Sequence, residues 1–224
     1  MSTLQAAGTI LAKEIRTEFR TRELLTTTVV FVLMVLVLFS FTFDPTAEEA
    51  RRYTPGLLWL AFLFAGSLML FPSFAREQVN DTLDALRMTP AGPYAIVLGK
   101  VLANFAFLTV AEWMLLPVFS VLYDVSVLRV LWQLLAVFAL GTFGLALTGT
   151  AFSAVTTRAR MRELLLPLLL LPLLTPVLIA SVEATAGLLA REPRMEWTWV
   201  KMLVGFDVVF LAASYLTAGA LLEE

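Results

Sequence analysis

Among its 224 residues the chain has no cysteine and no histidine. Without cysteine it can form no disulfide, hold no thiolate-bound metal and offer no thiol nucleophile. Without histidine it lacks the usual metal and haem ligand and the commonest general base. Charge is scarce too: charged residues are 15% of the chain, and a formal net charge of −2 gives no bulk basic field for nucleic acid. A nucleotide-binding loop is also missing. Gly99-Lys100 is followed by Val101, and it lacks the earlier glycine of a phosphate-cradling loop. With no close carboxylate pair either, the chain reads as non-catalytic.

What is abundant is apolar length. Hydrophobic residues make up 59% of the chain, and the mean hydropathy is +0.85. A hydrocarbon core about 30 Å thick needs about 20 mostly apolar residues per helix. Lipid supplies no hydrogen-bond partners, so spanning segments are helices or closed barrels. Runs such as 164–174 do not alternate with period two, which excludes barrel strands. The pattern predicts an all-α polytopic membrane protein with six spans, at 24–43, 55–75, 95–123, 127–156, 164–189 and 199–222.

The joints between spans set an orientation. One set carries Lys13, Arg16, Arg20, Arg22, Arg76, Arg87, Lys100, Arg158, Arg160 and Arg162. The other carries fewer cations: Arg51, Arg52, Arg129, Arg191, Arg194 and Lys201. By the positive-inside rule the first set is cytoplasmic, so both termini are expected inside. Tyr53, Trp59, Tyr123, Trp132, Trp197 and Trp199 fall near the outer boundary, where amphipathic rings favour the interface. The basic N-terminus is followed by no short apolar region with a small-residue cleavage site, so it is not read as a signal peptide.

Residues 1–23 are expected to form a cytoplasmic interfacial helix ahead of a six-helix domain at 24–224. Leu4, Leu11, Ile15 and Phe19 recur on one helical face, with Lys13, Arg16 and Arg20 roughly opposite, a pattern suited to an anionic lipid surface; the alternative is the ordinary positive flank of a first span. The joint at 76–90 predicts a short cytoplasmic helix. Val79, Leu83 and Leu86 make an apolar stripe, Asn80 or Asp81 caps its start and Pro90 stops it. Such a stripe fits a partner's groove, or packs on the protein's own loops or headgroups.

Within the spans, Asn104, Glu112, Glu183 and Asp207 are polar groups that are costly in lipid. Each reads either as a working group or as a hydrogen-bonded packing residue, and Glu183 lies close enough to the outer end to be solvated. Gly141, Gly144, Gly149 and Ser153 allow close helix approach, within the bundle or between subunits. Pro167, Pro172 and Pro176 are expected to bend or break the fifth span. The small-residue stretch 184–194 reads as a re-entrant or surface helix.

The run Arg76-Glu77, Asp81-Thr82-Leu83-Asp84-Ala85-Leu86, Thr89-Pro90 and Leu98-Gly99-Lys100 resembles the charged loop of type-2 ABC permeases. Over nearly its full length the chain resembles the CcmB family of cytochrome c maturation permeases, also called haem exporter protein B. The start Pro55-Gly56-Leu57-Leu58-Trp59 and the prolines of the fifth span carry that likeness as well. Family members usually have glycine where this chain has Asp81, so the resemblance implies, as an expectation, a different turn geometry at that position.

The resemblance implies a permease subunit in the bacterial inner membrane, coupled to a separate ATPase, CcmA, that binds the ATP. It implies the membrane partners CcmC and CcmD. It also implies a role in releasing the haem-loaded chaperone CcmE from CcmC, with haem carried by partner proteins and no cofactor on this chain. The ATPase-coupling residues it implies are Glu77, Leu83, Asp84, Leu86 and Arg87. Six spans are half of a two-lobed permease, so a second copy or another membrane subunit is expected. The competing readings are a half-transporter for a drug, lipid or polysaccharide, and a membrane scaffold with no energy coupling.

Overall fold

The computed structural model of the chain describes residues 2–42, 48–70, 73–74, 92–156 and 162–223. Among these there is no strand, and seven α-helices follow one another. They are α1 Thr3–Thr21, α2 Glu23–Thr42, α3 Glu48–Leu70, α4 Pro93–Leu122, α5 Leu131–Thr156, α6 Arg162–Leu189 and α7 Trp197–Glu223; a 3-10 turn, Leu128–Val130, leads into α5. Helices α2 to α7 each hold a stretch long and apolar enough to cross a bilayer. The protein is therefore an all-α, multi-pass membrane protein, as the sequence predicted.

α1 opens with reciprocal capping. The Gln5 N–H donates to Ser2 Oγ at 3.4 Å, and the Ser2 N–H donates to Gln5 Oε1 at 3.1 Å. It closes at Arg22, whose left-handed backbone (φ 54°) turns the chain sharply into α2. The buried Glu18 secures this corner, its Oε1 accepting the Leu25 N–H at 2.9 Å. A carboxylate so placed meets the positive end of the α2 dipole.

α1 has three stripes rather than two. Ala6, Ala7 and Ile10 are buried against the bundle, chiefly α4. Leu4 and Phe19, expected to share one stripe with Leu11 and Ile15, are exposed, whereas Leu11 and Ile15 are half-buried against the core. The inward stripe was missed because its small alanines carry little hydrophobic signal. The cations Lys13, Arg16 and Arg20 form the third, exposed stripe.

α5 is the centre of the bundle and touches α3, α4, α6 and α7. Its small residues make seams inside the chain. A methyl group added at Gly141 would collide with the Trp59 ring and stand 2.5 Å from Ser181 Oγ, while Gly144 faces Asp207 and Gly149 faces Leu70. Trp59 is fully buried; its Nε1–H donates to Thr185 Oγ1 at 3.0 Å, and its ring meets Phe62 and Phe138 edge-on. Tyr123 is also buried, its hydroxyl donating to the Leu36 carbonyl at 3.0 Å. Neither ring is the interfacial anchor that the sequence suggested. Tyr53, Trp132 and Trp197 are exposed.

The second span starts close to where it was expected, its apolar stretch running from Tyr53 to Leu70. Its helix, α3, begins earlier, at Glu48, and carries Pro55 inside it; a proline there removes one helical hydrogen bond without ending the helix. Of the bend or break expected in the fifth span, the break does not occur: α6 runs from Arg162 to Leu189 through all three prolines, because neighbouring helices and side chains can re-satisfy the freed backbone groups. The stretch 184–194 is no separate helix. It is the end of α6 and a return in which the Arg194 N–H donates to the Gly187 carbonyl at 3.0 Å.

Gly141→Leu is expected to destabilise the purified protein by about 1–3 kcal/mol or more, because a packed core resists added volume. Gly205 has open space around it, so Gly205→Ala is expected to be neutral or stabilising by up to about 1 kcal/mol. Unfolding in detergent checks both, and equal effects at the two positions would contradict the seam.

Candidate functional site

The residues Glu77, Leu83, Asp84, Leu86 and Arg87, with the whole segment 76–90, lie outside the described residues. What is described is the ground on which that segment stands: Ser73 and Phe74 before it and the first turns of α4 after it.

Lys100 occupies the centre of this ground. Its side chain is 1% exposed, although ammonium groups are almost never fully buried unless paired. It meets two other parts of the chain, α1 and the pair Ser73–Phe74. Nζ donates to Glu14 Oε1 of α1 at 3.1 Å and to the Ser73 carbonyl at 2.5 Å. It also lies 4.9 Å from the centre of the Phe74 ring, within cation–π range. One turn further along α4, Asn104 Nδ2 donates to Ser73 Oγ at 2.9 Å and to Thr150 Oγ1 of α5 at 2.8 Å. Ser73 is thus held twice, by its backbone and by its side chain.

The local sequence builds this arrangement. Lys100 and Asn104 are four residues apart, which places both on one face of α4. Gly99 lets α1 cross next to Lys100: a methyl group there would stand 2.8 Å from Ile10 Cβ and 2.9 Å from the Ala7 carbonyl oxygen. Burial opposes the charge on Glu14, but Lys100 and Lys13 outweigh it and hold the carboxyl below the ordinary glutamate range.

The other polar candidates lie elsewhere. Glu112, buried in α4, accepts a short hydrogen bond from the Thr142 hydroxyl of α5. Asp207, buried in α7, faces Gly144 on α5, and its Oδ2 has no hydrogen-bond partner among the described residues. Thr142 and Gly144 are two residues apart, so the two carboxyls sit on nearly opposite sides of α5. Glu183 on α6 is exposed. Only Asn104 of the four joins the group around Ser73.

Sequence reading missed Glu14, Ser73, Thr142 and Thr150. Glu14 and Lys100 are 86 positions apart, and no periodicity pairs residues at that separation. A lysine just inside a predicted span was the one available signal. Among the described residues, no group of three or more Asp or Glu could hold a metal. The arrangement is chemically suited to fixing a chain segment in place rather than to transforming a substrate.

The chain is similar over most of its length to known proteins. The family described as CcmB protein matches residues 5–224. The Heme exporter protein B of Pseudomonas aeruginosa is 34% identical over 170 residues, 76% of each chain. That of Rhodobacter capsulatus is 33% identical, covering 68% of this chain and 70% of its own. That of Paracoccus denitrificans is 30% identical, covering 86% and 87%.

In Glu112→Leu the Thr142 hydroxyl loses its buried acceptor, at an expected cost of about 1–3 kcal/mol. Glu112→Gln keeps a carbonyl oxygen there and is expected to cost less. Thermal unfolding in detergent compares the two. Equal losses would show that the carboxylate charge, not its acceptor oxygen, is what the site requires.

Proposed function

The chain belongs to the CcmB family, and from that premise we propose that it is the membrane permease subunit of an ABC-type complex for cytochrome c biogenesis. The observation that carries this reading is the family match over residues 5–224. The names of the curated relatives add haem export as the process they serve. In this proposal the chain is not the ATPase. A separate subunit, CcmA, binds and hydrolyses ATP, and this chain passes the resulting motion to the outer side. There the complex releases haem-loaded CcmE from CcmC, with CcmD as a further membrane partner. A chain with neither histidine nor cysteine is a poor haem ligand, which supports leaving haem to the partner proteins.

Orientation follows from the cation distribution. The N-terminus, segment 76–90 and the C-terminus face the cytoplasm, and the membrane is the bacterial inner membrane. α1 lies on the inner leaflet, with Leu4 and Phe19 toward lipid and Lys13, Arg16 and Arg20 toward headgroups and water. The exposed apolar faces of α2 and α7 leave room for lipid, a second copy or another membrane subunit.

Segment 76–90 is the docking element of the proposal. Leu83 and Leu86 fill a groove on the ATPase, with Glu77, Asp84 and Arg87 at the rim. The firm hold on Ser73 supports this reading, because a segment that receives force needs a fixed base. Truncating a buried interface anchor commonly costs about 2 kcal/mol or more, and rim charges cost less. Leu83→Ala combined with Leu86→Ala is therefore expected to abolish recovery of the ATPase with tagged permease, at unchanged permease abundance. Reversal of Asp84 is expected to weaken recovery mainly at low salt. Full recovery with the double variant would remove this segment from the interface.

A further inference from the structure

We infer that Arg16, Arg20 and Arg22 form a site for the headgroups of anionic phospholipids, so that α1 selects negatively charged lipid over neutral lipid. The inference deepens the interfacial placement of α1 proposed above and rests on it.

The fold sorts the charges of α1. Its sequence mixes the cations Lys13, Arg16, Arg20 and Arg22 with the acids Glu14 and Glu18. In the structure both acids turn toward the protein. Glu18 is 2% exposed, and its Oε1 accepts the Leu25 N–H at 2.9 Å. Glu14 Oε1 lies 3.1 Å from Lys100 Nζ on α4 and 3.1 Å from Lys13 Nζ. Arg16, Arg20 and Arg22 are exposed, and among the described residues no ion pair reaches them. A helix of modest net charge thus presents guanidinium groups alone on its outer basic stripe.

The stripe stands at the right level for headgroups. Arg16 and Arg20 are four residues apart, neighbours on one face. Arg22 follows at the left-handed corner, and α2 begins at the next residue. α2 is long and apolar enough to cross a bilayer, so the corner lies where the chain enters the membrane. Phe19, 70% exposed, precedes Arg20 and sits about 100° from it around the helix. An apolar stripe beside a basic one lets rings enter the acyl boundary while the cations stay among phosphates. The planar fork of a guanidinium matches phosphate oxygens in pairs.

Packing presets the orientation. Ala7 and Ile10 lie against Gly99 of α4, and Ala6 is buried beside them. The arginines therefore face outward before any lipid binds, and binding does not have to fold or turn the helix. Lipid is the occupant because the spans bring a bilayer to this corner whatever else assembles there. Each cation near the surface favours anionic lipid roughly fivefold.

The test uses the full chain in nanodiscs of phosphatidylcholine and phosphatidylglycerol, with a fluorophore on Ala12→Cys. Ala12 is exposed on α1, and the natural chain has no cysteine. Trace spin-labelled phosphatidylglycerol or spin-labelled phosphatidylcholine then quenches the fluorophore in parallel samples. The ratio of the two reads the enrichment of anionic lipid beside α1. It is expected to be about threefold or more in the labelled parent, and to fall close to parity when Arg16→Gln, Arg20→Gln and Arg22→Gln are combined. Arg129→Gln, Arg194→Gln and Lys201→Gln together remove the same charge from other exposed positions, and are expected to leave the ratio unchanged. Raising salt from about 0.05 M to about 0.5 M is expected to erase most of the parent's enrichment; this arm stays informative if the arginine triple variant inserts poorly.

Parity in the parent would assign the stripe to another occupant, such as an acidic protein, and would overturn the inference. So would an unchanged ratio in the arginine triple variant, an equal fall in the control triple variant, or enrichment that salt does not touch. Failure of the interfacial placement itself is distinguishable, because neither lipid would then quench the fluorophore.

Discussion

One buried ammonium group stands where α1 meets the start of α4. Lys100 pairs with Glu14 and donates to the Ser73 carbonyl, which brings α1, Ser73 and the start of α4 together at one place. An apolar residue at position 100 would pack there too, but it would tolerate sliding of α1 and rotation of Ser73. Replacing a buried ion pair by apolar groups is often neutral or even stabilising. The pair is therefore better explained by the geometry it enforces than by the stability it adds. Asn104 completes the fixation by joining the same serine to α5.

α5 plays the complementary part. Helices in lipid gain little from hydrophobic burial against one another, and they associate through close van der Waals contact and hydrogen bonds. The glycines of α5 allow that closeness, and Thr142 and Thr150 supply hydrogen bonds to α4. α2 and α7 are the most exposed of the spans. Among the described residues the bundle thus combines a closely packed centre, apolar outer faces and a polar cluster around Ser73.

Much of the architecture was legible in the sequence, and the reasons are specific. The six spans are long apolar runs, and run length alone decides between spanning and not spanning. Helix ends were less legible: Pro55 marks the start of the span but α3 begins before it, and the prolines of α6, expected to bend or break it, do not interrupt it. In both cases the local rule is overridden by packing that a sequence does not display. The faces of α1 were half legible, since Leu4 and Phe19 mark an exposed apolar stripe while the inward alanines were silent. Of the polar candidates in the spans, Asn104 proved to be part of the polar cluster, but its partners Ser73 and Thr150 come from distant positions. The charge pair at its centre was not legible, because nothing local connects residue 14 to residue 100.

The central claim is the proposal that the N-terminus and segment 76–90 share the cytoplasmic face of a six-span bundle. Single cysteines at Thr3, Thr46 and Thr89 of this cysteine-free chain test it most directly, with a membrane-impermeant thiol reagent applied to intact cells from the outer side. The account predicts labelling at Thr46 alone, with Thr3 and Thr89 reacting only after the membrane is breached. Labelling of Thr3 or Thr89 from outside would contradict it.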